Sequence, residues 1–416
     1  MSSPRLWLRN PLAIFTANDQ DARGGIVVQD GRIVELVAAG QQPSAPIQQT
    51  FDASQHVLTP GLINTHHHFY QTLTRAWAPV VNQPLFPWLK TLYPVWARLT
   101  PDQLGVATKV ALAELLLSGC TTAADHHYLF PDGLEQAIDV QAGVVQELGM
   151  RAMLTRGSMS LGEADGGLPP QQTVQSAEAI LDDSQRLIRE YHQRGEGAQV
   201  QIALAPCSPF SVTPEIMRAS AELAEREDVR LHTHLAETLD EEDFCLQRFG
   251  QRTVDYLDSV GWLGPRTWLA HGIHFNDEEI QRLGAAGTGV CHCPSSNMRL
   301  ASGICPTVAL EAAGAPVGIG VDGSASNDAS NMILEAARPC TSSACATAPS
   351  RSPRSARWAG PPAVRRNSSA AATSASWPWA SRRTWRCSSS TNCASPAATT
   401  RSPRYCCAAP TRPTGS

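Results

Sequence analysis

From Pro60 onward, eight short apolar runs alternate with amphipathic stretches of helical period, a rhythm that few folds accommodate. The runs cover residues 62–66, 121–125, 151–155, 199–205, 229–234, 267–271, 288–292 and 316–321, and segments such as 111–117 and 176–191 carry the helical pattern between them. Strand and helix in regular alternation predict an α/β fold, a (β/α)8 barrel of the TIM type. Such a barrel takes about 250 residues, so a chain of 416 leaves room for a smaller unit. Residues 5–59 suit that role: short alternating runs at 6–8, 25–29, 32–37 and 56–59, broken by turn signals such as Asp30-Gly31, read as antiparallel strands. The expected organisation is therefore the N-terminal part of a small β-sandwich domain over 1–59, a metallohydrolase barrel over 60–337, and an irregular tail over 338–416. The last barrel helix begins at Asn331 and is cut short.

The polar residues of interest stand at the C-terminal ends of these runs, the face where barrels of this kind do chemistry. His66 and His68 follow the first run, His234 the fifth, His271 the sixth and Asp322 the eighth. Side chains alternate along an extended segment, so His66 and His68 share a side and can reach one ion. A His-x-His pair alone is more often merely solvated. Three His and one Asp from three strands supply what a catalytic zinc needs, a protein donor set that leaves a position open for water. The Cys291-His292-Cys293-Pro-Ser-Ser-Asn297 segment lacks the second pair of a zinc ribbon, so His292 and Asn297 are read as pocket lining.

Four phrases resemble the amidohydrolase superfamily: Pro60-Gly-Leu-Ile-Asn-Thr-His-His-His68 its first strand, His232-Thr-His-Leu-Ala-Glu237 its fifth, Ala270-His271-Gly its sixth and Val321-Asp322-Gly its eighth. The likeness spans residues 25–337. It implies that His66, His68, His234 and Asp322 bind the metal, that Glu237 shuttles protons, and that His271 polarises the substrate or holds the attacking oxygen. One Zn2+ is expected, with Fe2+ the alternative. Binuclear relatives bridge their ions through a lysine or carboxylate on a middle strand, but the only lysines here, Lys90 and Lys109, fall between the first two strands. The fourth strand offers Ala205-Pro206-Cys207, with Cys207 either a ligand or a buried thiol.

The stretch from His66 to Trp77, with Asp125-His-His-Tyr128 and Cys207-Ser-Pro-Phe210, narrows the resemblance to aminohydrolases of nitrogen heterocycles. It implies a zinc-dependent hydrolytic deaminase of an aminated purine-type ring, 8-oxoguanine to urate and ammonia first. A hydroxy-s-triazine, guanine, cytosine or an adenosine derivative are the alternative substrates. Gln71 and Trp77 are expected ring contacts and Cys207 and Asn297 further lining, with His126 and His127 either behind the ligands or structural. No phosphate-cradling Gly-rich loop is present, so the ring would be a free base or small heterocycle.

Charge sets the partners. Residues 338–416 hold 12 of the 33 basic side chains and no acidic one, which leaves 21 against 38 acidic, a net −17, on the first 337. So acidic a body argues against nucleic acid. No run of 18 apolar residues and no signal-like start are present, so no membrane partner and a cytoplasmic location are expected, with small-molecule substrate as the partner and a homo-oligomer left open. The twelve cysteines have no framework spacing and read as reduced thiols. From Arg338 onward there is no Leu, Ile, Met or Phe and one Val, but six Cys and four Trp, a composition that builds no core and is unlike ordinary disordered tails. A shift of one base explains it. The codons for 358–364 then permit Leu-Gly-Trp-Ala-Thr-Arg-Gly, and those for 376–388 permit Glu-Leu-Ala-Val-Gly-x-Gln-Ala-Asp-Leu-Ala-Leu-Phe, strings like those the superfamily carries after its barrel. The tail thus reads as out of frame, with the break near 335–338, and an inactive frameshifted product is the alternative to an enzyme.

Overall fold

The computed structural model describes residues 3–16, 20–195, 197–338, 385–389 and 406–407. The chain divides into two compact units: Met1–Leu62 with Gly119–Thr121 and Arg382–Ser416, and Ile63–Ser118 with Thr122–Ser381.

In the smaller unit β1 (Leu6–Arg9), β3 (Gly25–Gln29), β4 (Arg32–Val37) and β5 (Gln49–Asp52) form one sheet, ordered β4-β3-β1-β5. The β3–β4 hairpin turns on Asp30 and Gly31, both at positive φ as a tight two-residue turn demands. A second sheet, ordered β16-β15-β6-β2, joins β2 (Ala13–Ile14) and β6 (His56–Pro60) to β15 (Trp385–Ser389) and β16 (Cys406–Cys407). The pairing is mixed, since β1 lies parallel to β5 and β2 parallel to β6, where an antiparallel set was expected. Alternation predicts strands but not the direction of partners met through a long connection, and a two-residue strand such as β2 shows no alternation at all. Leu8, Ile26, Ala53 and Leu58 form this unit's buried centre, flanked by Leu6, Ile14, Val28, Ile33, Leu36 and Phe51. Beyond Arg338, β15 and β16 are the described parts of the tail; the rest of 339–416 lies outside the described residues.

The larger structure is a barrel of eight parallel strands in sequential order: β7 (Leu62–Asn64), β8 (Cys120–His127), β9 (Arg151–Ser158), β10 (Val200–Pro206), β11 (Arg230–Leu235), β12 (Thr267–His271), β13 (Gly289–His292) and β14 (Val317–Ile319). It closes where Thr65 N donates to Ile319 O (3.0 Å) and Asp322 N to His66 O (3.1 Å). Ala124, Met153, Ala203, Trp268, Cys291 and Cys293 fill the interior. Strands one and eight are shorter than their apolar runs because the chain leaves the ladder just before His66 and Asp322. Two helices follow β7. The first, α1 (Leu85–Trp96), carries an apolar, aromatic-rich sequence and was not expected. The second, α2 (Pro101–Leu117), starts ten residues before the apolar pattern at 111–117, because a Thr100–Gln103 capping box and Pro101 nucleate it. Among the described residues no helix is long and apolar enough to cross a membrane.

Candidate metal centre

The C-terminal ends of β11 and β12 and the loops leaving β7, β11 and β14 bring His66, His68, His234, His271, Glu237 and Asp322 together in one buried cluster, each under 9% exposed. His68 Nδ1 donates to His126 O (2.6 Å) and His234 Nδ1 to Cys207 O (2.7 Å). A carbonyl only accepts, so each ring keeps its hydrogen on Nδ1 and turns a bare Nε2 inward. These two Nε2 atoms stand 3.1 Å apart. Asp322 Oδ1 lies 3.3 Å from His66 Nε2 and 3.4 Å from His68 Nε2, and the buried His66 Nε2 has no hydrogen-bond partner. Burial pushes all three imidazoles below their ordinary range, His68 to about 3, so they are neutral. Lone pairs facing one another across such distances need a cation between them. Separations of 3.1–3.4 Å match the edge of roughly 3.3 Å in a tetrahedron of metal–nitrogen bonds of about 2.0–2.1 Å. The donor set therefore fits a divalent metal.

His126 also falls within this cluster, but its Nε2 donates to Ala205 O (3.0 Å) and its ring lies nearly parallel to His234, centroids 4.5 Å apart. It serves His68 through its own carbonyl. His127 Nε2 donates instead to Leu129 O (2.7 Å), and its ring packs against Tyr70 and Phe130. Lys90 and Lys109 are exposed, and Lys109 pairs with Glu147.

Backbone strain marks the same place. His271 (φ 72) and Asp322 (φ 61) are both left-handed, a conformation that costs a non-glycine residue about 1–3 kcal/mol. Asp322 is held by Gly323 N (2.7 Å) on Oδ1 and by Ser326 Oγ (3.3 Å) on Oδ2. Glu237 Oε2 sits 3.4 Å from His271 Nε2, and burial raises the Glu237 carboxyl. Burial would lower His271, yet the charges of Glu237 and Asp322 raise it.

A pocket of ≈ 380 Å³ opens onto His68, His234, Glu237, His271 and Asp322. Gln71 and Cys207 line it; Cys207 is a buried thiol pushed up to about 12 by burial, and its main-chain oxygen rather than its sulfur holds His234. Gln71 approaches so closely that a Cβ on Gly323 would stand 1.9 Å from its Oε1, so a larger residue there would displace the Gln71 amide. Trp77 and Asn297 are placed outside this lining. Trp77 is 36% exposed beside a short turn and is not among the lining residues, because the chain turns outward after Thr74. Asn297 lies one layer back, its Oδ1 taking the hydrogen of His271 Nδ1 (2.9 Å) and its Nδ2 facing His292 Nδ1 (3.4 Å). His292 is not among the residues lining this pocket. Unforeseen lining comes from Leu85, Trp88, Leu89 and Tyr93 of α1, with Tyr128 and Phe210. The signal was an aromatic-rich segment inserted at the barrel's C-terminal face. Glu241, also unforeseen, is fully buried and accepts from Ala236 N (2.8 Å) and Glu237 N (3.3 Å), fixing the turn that presents Glu237.

The chain belongs to the amidohydrolase family, which matches residues 57–352. It is 86% identical over 332 residues to an 8-oxoguanine deaminase from Pseudomonas aeruginosa, covering 80% of this chain and 74% of that protein. It is 38% identical to a hydroxydechloroatrazine ethylaminohydrolase from a Pseudomonas species, over 74% of this chain and 66% of that one. A zinc-complexed atrazine chlorohydrolase from Arthrobacter aurescens superposes with a TM-score of 0.73 at 30% identity, over 82% of this chain and 78% of the other. The chain is a hydrolase acting on C–N bonds, a hydrolytic deaminase, and its His/Asp cluster has the donors to hold a divalent metal.

Proposed function

We propose that this chain converts 8-oxoguanine to urate and ammonia with one zinc ion, Fe2+ being the alternative, held by His66, His68, His234 and Asp322. The observation that carries the substrate is the 86% identity to a protein of that activity. The pocket agrees, since Gln71 Oε1 and Tyr93 Oη line it buried and without partners, ready for the polar edge of a heterocycle. Bound zinc supplies a nucleophile at neutral pH by lowering the pKa of its water to about 7. Glu237, kept protonatable by burial, delivers a proton to a ring nitrogen. Asp322 takes one proton of the attacking water and passes it to the departing amine, the new C–O bond replaces the C–N bond as ammonia leaves, and the proton remaining on the new hydroxyl returns to Glu237 as the carbonyl forms. His271 stabilises the charge that develops on oxygen, its orientation set by Asn297. The functional body is the barrel over 60–337 with residues 1–59 as half of a small β domain, and residues 338–416 are an out-of-frame tail.

The test is a comparison of kcat/KM. The 8-oxo group makes N7 a donor, so a pocket built for it leaves a buried group unpaired when guanine binds, at about 1–3 kcal/mol or roughly 5- to 150-fold. The expected order is 8-oxoguanine above guanine and above a hydroxytriazine. A hydroxytriazine in first place would move the substrate to the second relative's chemistry and leave the deaminase intact.

A further inference from the structure

His68 and His234 are each oriented by a main-chain carbonyl, but His66 is not. Its Nδ1 lies 2.8 Å from Nε2 of another histidine, His232, two residues ahead of His234 on β11. The other nitrogen of His232, Nδ1, lies 2.8 Å from Trp268 O on β12. Because that carbonyl only accepts, His232 carries its hydrogen on Nδ1, and its Nε2 is bare. The hydrogen in the 2.8 Å contact must then come from His66 Nδ1, which leaves His66 Nε2 without one, facing Asp322. Both histidines are 0% exposed, so no bulk water can take over either bond.

The ring of His232 is also held in plane. It stacks on the Trp268 indole with centroids 4.2 Å apart and planes 9° apart. Trp268 Nε1 in turn donates to Thr65 O (3.1 Å), the carbonyl directly before His66. A closed circuit results: β12 holds His232, His232 holds the His66 ring, and Trp268 holds the backbone from which that ring projects.

We propose that His232 is a positioning residue for the metal, one that fixes the tautomer and plane of His66 and shares the positive charge which that ring acquires on ligating a cation. The proposal rests on reading His66 as a ligand. Histidine ligands usually give their second N–H to a carboxylate, carbonyl or water, and removing that partner weakens metal binding by roughly 10- to 100-fold. Here the partner is an imidazole, whose bare nitrogen is the one acceptor within reach of His66 Nδ1 in the described hydrogen bonds.

The experiment uses the full chain, apo and loaded, with zinc affinity read by competition against a chromophoric chelator and ligand geometry read from the visible absorption of the Co2+ form. His232→Phe keeps a stacking ring and removes the acceptor; it should bind zinc roughly 10- to 100-fold more weakly, with a shifted Co2+ spectrum. His232→Gln restores an acceptor oxygen and should recover most of the affinity. Equal losses in both variants would assign His232 to packing and overturn the proposal, as would a phenylalanine variant with unchanged affinity and spectrum. A His66→Ala chain that binds zinc as tightly as the wild type would instead remove the ligand reading itself, and this proposal with it. Nitrogen-15 shifts of the histidine rings in the zinc-loaded wild type need no variant: the Nδ1–H tautomer of His232 is expected, and the Nε2–H tautomer overturns the assignment.

Discussion

Glu237 and Glu241 are both buried carboxylates four residues apart, yet their surroundings give them different work. Glu237 faces His271 and the pocket, so Glu237→Gln removes proton transfer while leaving the ligands untouched. That variant should retain metal by elemental analysis and lose about 10²- to 10⁴-fold in kcat; turnover near the wild-type rate would place the shuttle elsewhere. Glu241 faces only backbone N–H groups, and burial pushes it from 4.5 to about 8. Between those values the unfolded chain has released a proton that the folded chain keeps. The stability tied to this group is therefore complete below about pH 4.5 and lost as pH rises through about 8, with a slope of at most ~1.4 kcal/mol per pH unit. Glu241→Gln keeps an acceptor oxygen and abolishes the slope, so its advantage in apo-protein melts should grow from pH 5 to pH 8. Curves that stay parallel to the wild type would acquit Glu241. The histidines, Glu237 and Asp322 were legible because each sits in a motif at a strand end. Glu241 was not, since acidic residues at a helix start ordinarily serve the helix.

At the scale of elements, the site depends on how β14 meets β7. Gly320 follows β14, and a Cβ there would stand 2.7 Å from Cys291 Sγ, 2.8 Å from His66 Cβ and 2.9 Å from His66 N. Gly320→Ala must push the two chain segments apart at the point where His66 O accepts from Asp322 N. The expected result is a folded chain, by circular dichroism, with zinc affinity reduced at least tenfold, since two ligands lie on opposite sides of the displaced contact; unchanged affinity would show that the barrel absorbs the methyl group. Apolar periodicity revealed all eight barrel strands, because strands buried on both faces read as continuous apolar runs. It missed α1, a buried, aromatic-rich helix whose Leu85, Trp88 and Tyr93 also line the pocket. Nor does it show that Trp77 stands outside the pocket lining, as proximity in sequence to His68 says nothing about which way a loop turns.

For the molecule as a whole, the similarity to the 8-oxoguanine deaminase leaves remainders on both sides, covering 80% of this chain and 74% of that protein. A chain merely cut short would leave a remainder on the relative alone, and a chain with an added domain would leave one on itself alone. A shift of frame leaves both. It also accounts for the charge, because GC-rich codons read one base out of step yield Arg, Ala, Pro and Ser without Asp, Glu or Lys, as residues 338–416 show. Among the described residues the smaller unit holds two four-stranded sheets; six of these eight strands come from the first 60 residues, and β15 and β16 of the second sheet come from the far end of the chain. In the correct frame that end would supply the Gly-x-x-Ala-Asp-Leu entry and the apolar side chains that the tail as written lacks. Sequencing the coding DNA across codons 330–345 should therefore reveal one base gained or lost, with the shifted frame open and encoding Leu-Gly-Trp-Ala-Thr-Arg-Gly before that entry. The restored chain should then melt higher than the 416-residue chain, since an apolar edge and face left without in-frame partners weaken a domain whose whole margin is about 5–15 kcal/mol. Stop codons in the shifted frame, or an identical melting temperature for the two chains, would return residues 338–416 to the protein as its own.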